Sequence, residues 1–392
     1  MAQTVNTSKQ AVISGTGESR FSRRSDAPLA RLQLDAINAA LTDAGLEPGD
    51  IDGVFTDGSV MPVSFPIDVA QTNAGLHGVR RVGQFATGGT GTALAVMEAA
   101  KAIRQGDLHA ALIYFGVDWG SSQPPYSFHD RYRAKVLYEQ PYGYYGQALY
   151  FATIARRYAH EYGYTMDQLA RGLGQIAVDH RANALLNSNA QQSRSLDLDT
   201  YLAEGMLADP LRRYDCCLQS DGAVALILTS EEFNSHKDRP AVVVTGAGYA
   251  ADSITDESFF SQNPLFTSLP SAHRSAALAL SNAGVTVEQL DFVQAYDCFT
   301  PSPLMQLEAL GVCAPGAGIE YVTAGTAIGS DLPLNTHGGS LAQCYLLGIN
   351  HISEAVRQLR GEAGAGQVKN ASKGAVMMAP GRDHVTLILE RS

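Results

Sequence analysis

The sequence predicts an α/β fold built from two duplicated βαβα-type halves, residues 1–237 and 238–392, and three observations carry that prediction. First, "ALTDAGLEPGDIDGV" at 40–54 aligns without a gap to "ALSNAGVTVEQLDFV" at 279–293. Ala40, Leu41, Ala44, Gly45, Asp52 and Val54 recur as Ala279, Leu280, Ala283, Gly284, Asp291 and Val293. Second, "VISGTG" at 12–17 echoes "VVTGAG" at 243–248 upstream of that block. Third, a Gly-rich turn and an amphipathic helix follow it in each half, "ATGGTGTALAVMEAAKAI" at 86–103 and "THGGSLAQCYLLGINHISEAV" at 336–356.

Each repeated piece has a local reason. The upstream hexamers are β-branched runs that end in glycine, as a strand entering a turn does. The 15-residue block reads as a helix end, a glycine C-cap, a short linker and the next strand. In the last helix Ile349, Ile352, Val356 and Leu359 keep the i, i+3, i+4 spacing of one apolar face. The order strand–helix–strand–Gly turn–helix–strand in each half implies mostly parallel strands. Ligands in such folds sit beyond the strand ends, where helix N-termini point.

The first half carries an insertion over about residues 119–205, rich in tyrosine ("PPYSFHDRYRAK" and "EQPYGYYGQALYFATIARRYAHEYGYT"). Helices are expected near 144–160 and 165–186. "RRYDCCLQSDGAVALILTS" at 212–230 then returns as a turn and a buried strand. The insertion is either a lid or pocket wall over the strand ends, or a packing or dimer excursion; the residues alone leave both open.

Composition narrows the class. Of 392 residues, 45% are hydrophobic and 17% charged, which fits a globular core rather than a disordered or fibrous chain. The formal net charge of −11 argues against a uniform basic face for nucleic acid. No apolar run approaches the roughly 20 residues of a membrane span, and "MAQTVNTSKQAVISGTG" lacks a signal-peptide core. A cytoplasmic protein is expected. The 5 cysteines (Cys216, Cys217, Cys298, Cys313 and Cys344) show no metal-ligand spacing and fit reduced thiols. Cys216 and Cys217 read as small hydrophobes, since adjacent cysteines rarely bridge. "SGTGES" and "TGAGYA" fall short of a dinucleotide fingerprint, and no P-loop, G-x-S-x-G elbow or H-E-x-x-H is present.

Four stretches stand out: "HEYGYTMDQLARGLGQIAVDHRANALLN", "DPLRRYDCCLQSDGAVALILTS", "VQAYDCFTPSPLMQLEALGVC" and "LPLNTHGGSLAQCYLLGINHISEAVRQLRGEA". With them the chain resembles, over nearly its whole length, the sterol-carrier-protein type of thiolase and its lipid-transfer-protein relatives. The resemblance implies a thiolase fold, with mixed sheets in a layered α/β arrangement. Thiolases place a nucleophilic cysteine at the first-half Gly-rich turn, where a helix N-terminus favours the thiolate. Here that turn, "VGQFATGGTGTAL" at 82–94, has none. Cys344, Tyr345 and Leu346 stand where the family has a Gly-His-Pro motif. The turn "VMMAPGRDH" lacks the family's second cysteine, and Tyr296 of "AYDCF" replaces a second histidine.

This pattern is similar to the lipid-transfer-protein-like aldolases, which cleave a β-hydroxyacyl-CoA without a covalent intermediate. The resemblance implies that Tyr296 and Tyr345 act as acid and base. Retro-aldol cleavage needs a base for the β-hydroxyl, donors for the thioester oxygen and an acid for the enolate carbon. Asn335, His337, Gly338 and Gly339 are the candidates for the substrate-oxygen site. A phenol of pKa near ~10 would need a cation or hydrogen bonds to lower it by ~2–3 units. His337, His351 and His129 are candidates for that role; Asp297 is expected to accept from turn amides.

Two other readings stand beside the aldolase: a thiolase-like acyltransferase, with Cys298 or Cys344 as displaced nucleophile, and a non-catalytic acyl-CoA-binding subunit. The paired tyrosines favour the lyase, which requires no metal and no cofactor beyond coenzyme A as part of the substrate. The resemblance further implies a homodimer, and a small partner protein with an OB-fold and a zinc ribbon that carries the only zinc. A steroid, an aryl group and a branched aliphatic chain all remain open as the acyl group. Arg81, Arg131 and Arg133 are candidates for coenzyme A contacts by charge alone.

Overall fold

The computed structural model describes residues 10–58, 66–85, 89–121, 132–235, 239–254, 263–265, 267–379 and 381–392. His129, Arg131 and parts of the first-half Gly-rich stretch and of the tyrosine-rich stretch named above lie outside them.

Strand β1 (Ala11–Glu18) leads into α1 (Leu29–Ala44), whose residues Leu32, Ala36, Ile37, Ala40, Leu41 and Ala44 are buried. The helix stops at Gly45, which takes the left-handed conformation at φ 64°. A side chain on Gly15 or Gly17 would collide with the carbonyl oxygens of Ala40 or Ala36, so these glycines let the helix backbone lie on the strand.

The next elements are β2 (Gly53–Asp57), α2 (Ile67–Ala74), β3 (Arg81–Phe85), α3 (Gly91–Gln105) and β4 (Ala110–Asp118). The insertion holds α4 (Arg133–Tyr138), α5 (Gln147–Tyr162), α6 (Met166–Ala184), α7 (Leu198–Ala203) and a small ribbon, β5 (Met206–Ala208) with β6 (Leu211–Arg212). Helices α5 and α6 fall where periodicity places them. Strand β7 (Asp221–Ser230) closes the first half.

The second half repeats the first. Strand β8 (Val242–Ala251) meets α8 (Pro270–Ala283), which ends at Gly284 with φ 68°. Gly246 and Gly248 leave room for the carbonyls of Ala279 and Ser275, as Gly15 and Gly17 do for those of Ala40 and Ala36. Strand β9 (Phe292–Ala295) is followed by α9 (Pro301–Leu310), α10 (Gly318–Thr323), α11 (Gly339–Ala342) and α12 (Ile349–Arg360), then β10 (Lys373–Met378) and β11 (Asp383–Arg391).

The sheet order is β3-β2-β4-β7-β1-β8-β11-β10-β9. Read outward from the β1/β8 junction, the halves correspond strand for strand. The Val293–Leu334 bridge takes the place that β3 holds beside β2. The pairs β2/β3, β2/β4 and β9/β10 are parallel, whereas β4/β7, β7/β1, β8/β11 and β11/β10 are antiparallel. The sheet is therefore mixed rather than mostly parallel. The physical reason is plain in the second half: β10 ends at Met378 and β11 begins at Asp383, and so short a separation in sequence permits only antiparallel pairing.

Alternation along the strands separates two layers of core. Leu112, Tyr114, Ala223, Ala225 and Ile227 pack with α1, while Ile113, Phe115, Val224, Leu226 and Leu228 belong to the larger core that includes α3 and α12. Ile349, Ile352, Val356 and Leu359 are fully buried in that larger core. Among the described residues no helix is long and apolar enough to cross a membrane.

Candidate active site

Tyr296 is the first residue after β9, and its backbone N–H donates to Met377 O at 2.9 Å, extending the ladder with β10 by one step. Tyr345 lies between α11 and α12, and its N–H donates to Ser220 Oγ at 2.9 Å. These two anchors bring the phenols together: Tyr296 Oη and Tyr345 Oη are 2.7 Å apart, within one strong hydrogen bond. Tyr296 is buried and Tyr345 half-buried.

The surrounding backbone closes on the pair at two glycines. A Cβ on Gly89, at φ 109° just before α3, would sit 3.5 Å from Cζ and Oη of Tyr296, so the first-half turn lies against the second-half phenol. A Cβ on Gly348, at φ 90°, would sit 3.1 Å from Tyr296 Cδ2. The indole of Trp119 packs on Tyr345 with ring centroids 4.8 Å apart.

Asp297 ties the two tyrosine-bearing segments together. Its Oδ1 accepts from Ser340 N at 2.7 Å and lies 3.0 Å from His351 Nε2. Its Oδ2 accepts from Leu341 N at 3.3 Å and lies 2.9 Å from His180 Nδ1. Burial alone would raise this carboxyl's pKa; the hydrogen bonds and charges of the two imidazoles outweigh it and hold the group well below the usual carboxylate range. Gly339 is needed here, because a side chain at its φ of 60° would collide with Asp297 Oδ2.

The other residues picked from the sequence form the support behind the pair. Asn335 pairs with the Ala295 backbone on both sides: its Oδ1 accepts from Ala295 N at 2.7 Å and its Nδ2 donates to Ala295 O at 2.8 Å. It thereby fixes the strand end that carries Tyr296. Gly338 N donates to Asn335 O at 2.8 Å, and its φ of 101° lets the turn pass against Ala184 of α6. His337 is buried, its Nε2 lies 3.3 Å from Asn350 Nδ2, and its ring stands 4.8 Å from His351. Burial lowers its pKa well below the usual histidine value, with His351 contributing, so the ring is neutral.

No cation that lowers the phenol pKa is found beside the pair among the described residues. Burial pushes Tyr296 well above its ordinary value, with Tyr345 and Cys298 adding to it. Burial likewise raises Tyr345, followed by the thiols of Cys217 and Cys298. The pair is therefore protonated at neutral pH.

The thiols are equally unactivated. Burial pushes Cys298 up to about 12, with Ser302 Oγ 3.4 Å away, and raises Cys344 further. Cys217 lies opposite Cys298, its N–H donating to Cys298 O at 2.9 Å, and burial raises its thiol too. Iodoacetamide at neutral pH is therefore expected to leave Cys298 and Cys344 unmodified in the folded chain, read by intact-mass and peptide mass spectrometry. Rapid labelling of either would mean a thiolate that this geometry does not provide.

Arg81 stands at the outer edge, paired with Glu98 at 3.5 Å, and Arg133 is exposed on α4. Neither is part of the tyrosine cluster. Sequence reasoning missed His180, Cys217 and Trp119. His180 comes from α6, 117 positions before Asp297 (297 − 180), and no local spacing joins them. Trp119 carried a faint signal, as the 1 tryptophan of the chain and the residue directly after a buried strand.

Comparisons with known proteins bear on the family and the fold. The family described as thiolase C-terminal domain-like matches residues 252–391. The chain is 33% identical over 365 residues to the 17-hydroxy-3-oxo-4-pregnene-20-carboxyl-CoA lyase of Mycobacterium tuberculosis, covering 90% of this chain and 92% of that one. It is also 33% identical over 363 residues to the steroid side-chain-cleaving aldolase of Thermomonospora curvata, with 90% of each chain covered. The solved Ltp2-ChsH2(DUF35) aldolase superposes with a TM-score of 0.89 at 30% identity, over 97% of this chain and 98% of that one.

Proposed function

Because the chain belongs to the thiolase superfamily, in the branch of the steroid side-chain-cleaving acyl-CoA aldolases, we propose that it cleaves a β-hydroxyacyl-CoA by retro-aldol chemistry at Tyr296 and Tyr345. The observation that carries this reading is the 2.7 Å contact between the two phenols at the end of β9. In cleavage the β-hydroxyl gives its proton to one phenol as the Cα–Cβ bond breaks. The bonding pair passes into the thioester as an enolate, and a ketone or aldehyde leaves. In the same step the neighbouring phenol delivers its proton to the α-carbon, so the pair never holds an extra proton, and a shorter acyl-CoA remains. Because the phenols are hydrogen-bonded, one proton can enter at one hydroxyl as another leaves from its neighbour. Neither ring has to persist as a phenolate, which suits their raised pKa values.

Asn335, Gly338, Gly339 and His337 serve this chemistry by holding the Tyr296 strand end and the 338–341 turn in place. No covalent acyl-enzyme is involved, in keeping with the protonated thiols. A bulky acyl group, steroid-like in the relatives, is the substrate class to test first.

The partner proposals follow the same line. Strand β3 is the outer strand of the sheet, pairs with β2 alone among the described strands and exposes Val82, which offers an edge for a second copy of the chain. Val82→Asp is expected to shift a homodimer toward monomer in sedimentation velocity; an unchanged dimer would place the interface elsewhere. Leu137, Tyr138 and Tyr142 are exposed at and after α4, an apolar and aromatic surface suited to a small partner protein of the zinc-ribbon and OB-fold type; the solved Ltp2-ChsH2(DUF35) aldolase pairs two proteins.

The test is to co-express the chain with any small zinc-ribbon protein encoded beside it. Steroid, aryl and branched aliphatic β-hydroxyacyl-CoA thioesters are then supplied and products read by mass spectrometry. Release of a carbonyl compound with a shortened acyl-CoA supports the proposal. Tight binding of every thioester without cleavage would make the chain a non-catalytic subunit.

A further inference from the structure

We infer that Trp119 is a third catalytic residue, whose indole N–H donates a hydrogen bond to the thioester oxygen as it becomes an enolate. This rests on the retro-aldol reading of the tyrosine pair and fills a role that reading leaves empty. Two phenols account for the proton transfers, but the negative charge that develops on the thioester oxygen needs a fixed donor. Asn335, the side-chain amide nearest in sequence to the second-half turn, is paired with the Ala295 backbone instead.

Trp119 has the required properties. Its Nε1–H is shielded from solvent and has no hydrogen-bond partner among the described residues. Leaving a buried donor unpaired is costly, so an unmet N–H on a ring packed against Tyr345 is a candidate for a ligand oxygen. Its ring is packed on Tyr345 at 4.8 Å between centroids, one ring away from Tyr296 Oη.

The indole is also held before any substrate arrives. Asp221 Oδ1 accepts from Gly120 N at 2.8 Å and from Ser121 N at 3.2 Å, while its Oδ2 accepts from Ser25 N at 2.7 Å. Arg24 Nε donates to Gly120 O at 2.9 Å. A side chain on Gly120 would collide with the Arg23 carbonyl oxygen, so the chain passes there only as glycine. Next to Asp221, Ser220 Oγ accepts from Tyr345 N. One dipeptide, Ser220-Asp221, thus fixes the turn of Trp119 and the backbone of Tyr345 relative to each other. That is the preorganisation an oxyanion donor needs.

The experiment uses the fact that the chain has 1 tryptophan. Trp119→Phe keeps an aromatic ring against Tyr345 and removes only the N–H side of the indole. It is expected to lower kcat by about 100-fold with KM changed far less, as for loss of one oxyanion donor. In parallel, the Tyr296→Phe chain, with its tryptophan intact, is titrated with a β-hydroxyacyl-CoA that the wild type cleaves. The indole emission is expected to shift to the red as the N–H acquires a polar partner. A Trp119→Phe variant that melts like the wild type and retains its kcat would overturn the assignment. So would an emission spectrum unmoved by saturating thioester, which keeps the test decisive if the variant fails to fold. A wild type that cleaves no hydroxyacyl thioester would instead overturn the aldolase reading, and the enolate role with it.

Discussion

Tyr296→Phe is expected to lower kcat for β-hydroxyacyl-CoA cleavage by about 10²–10⁴-fold, and Tyr345→Phe by a similar factor. Each substitution removes a single oxygen from the 2.7 Å contact and leaves the ring in place. The orphaned phenol partner costs about 1–3 kcal/mol of stability, which a chain of this size tolerates. The double variant should be scarcely worse than either single one, because two groups that act as one relay fail together. Additive losses would mean that the tyrosines act independently. The raised pKa values also set the pH dependence. If a free phenolate were the base, its population would grow about tenfold per pH unit across the range below its pKa, and kcat/KM would rise with it. A protonated pair passing protons in concert gives a nearly flat kcat/KM from about pH 6 to about pH 9. A steep rise would contradict the relay.

Asp297→Ala is expected to produce the largest loss of stability of any single change in the site, about 3–5 kcal/mol, seen as a lower thermal midpoint. The fully buried carboxylate answers two imidazoles and two backbone N–H groups, and alanine leaves all four without it. Gly339→Ala should damage the same anchor from the opposite side, since its new methyl group meets the carboxylate. The sign of the pH effect follows from the direction of the shift. The folded-state pKa is depressed, so the stabilisation is fully present above the unfolded value near ~4. It is lost as pH falls through the acid range toward the folded value. The wild type should therefore lose stability below about pH 4 more steeply than the Asp297→Ala variant. Parallel acid-unfolding curves for the two would contradict the assigned role.

The duplication was legible because it depends on small residues that the fold cannot do without. Gly15 and Gly17 against Ala36 and Ala40, repeated as Gly246 and Gly248 against Ser275 and Ala279, are a packing requirement written into the sequence twice. Strand direction was less legible. Periodicity reports which face of a strand is buried, not which way it runs, and the antiparallel return of β7 and β11 carries no local signature of its own.

At the site, the tyrosines could be named because they stand at positions where the resemblance to thiolases implies histidine. Asp297 could be read as an acceptor for turn amides, and Ser340 N and Leu341 N are two of its partners. Its imidazole partners could not be read, since His180 arrives on α6 from the other half. Nor could the electrostatics. The sequence called for a cation or hydrogen bonds to lower a phenol pKa, whereas burial raises both, and the pair faces thiols, one another and the Asp297 carboxylate rather than a cation. An unpaired indole N–H is invisible in any sequence, being a property of what the fold fails to place beside it.

The central claim is that carbon–carbon bond cleavage here needs neither a nucleophile nor free coenzyme A. The most direct measurement incubates the purified chain, alone and with a co-expressed small zinc-ribbon protein, with a β-hydroxyacyl-CoA and the matching β-ketoacyl-CoA, each with and without added coenzyme A. The account predicts that the hydroxyacyl thioester alone is cleaved, at the same rate in both conditions, giving one carbonyl compound and one shortened acyl-CoA per turnover. Cleavage of the ketoacyl thioester only when free coenzyme A is present would contradict it and return the search to Cys298 and Cys344 as nucleophiles.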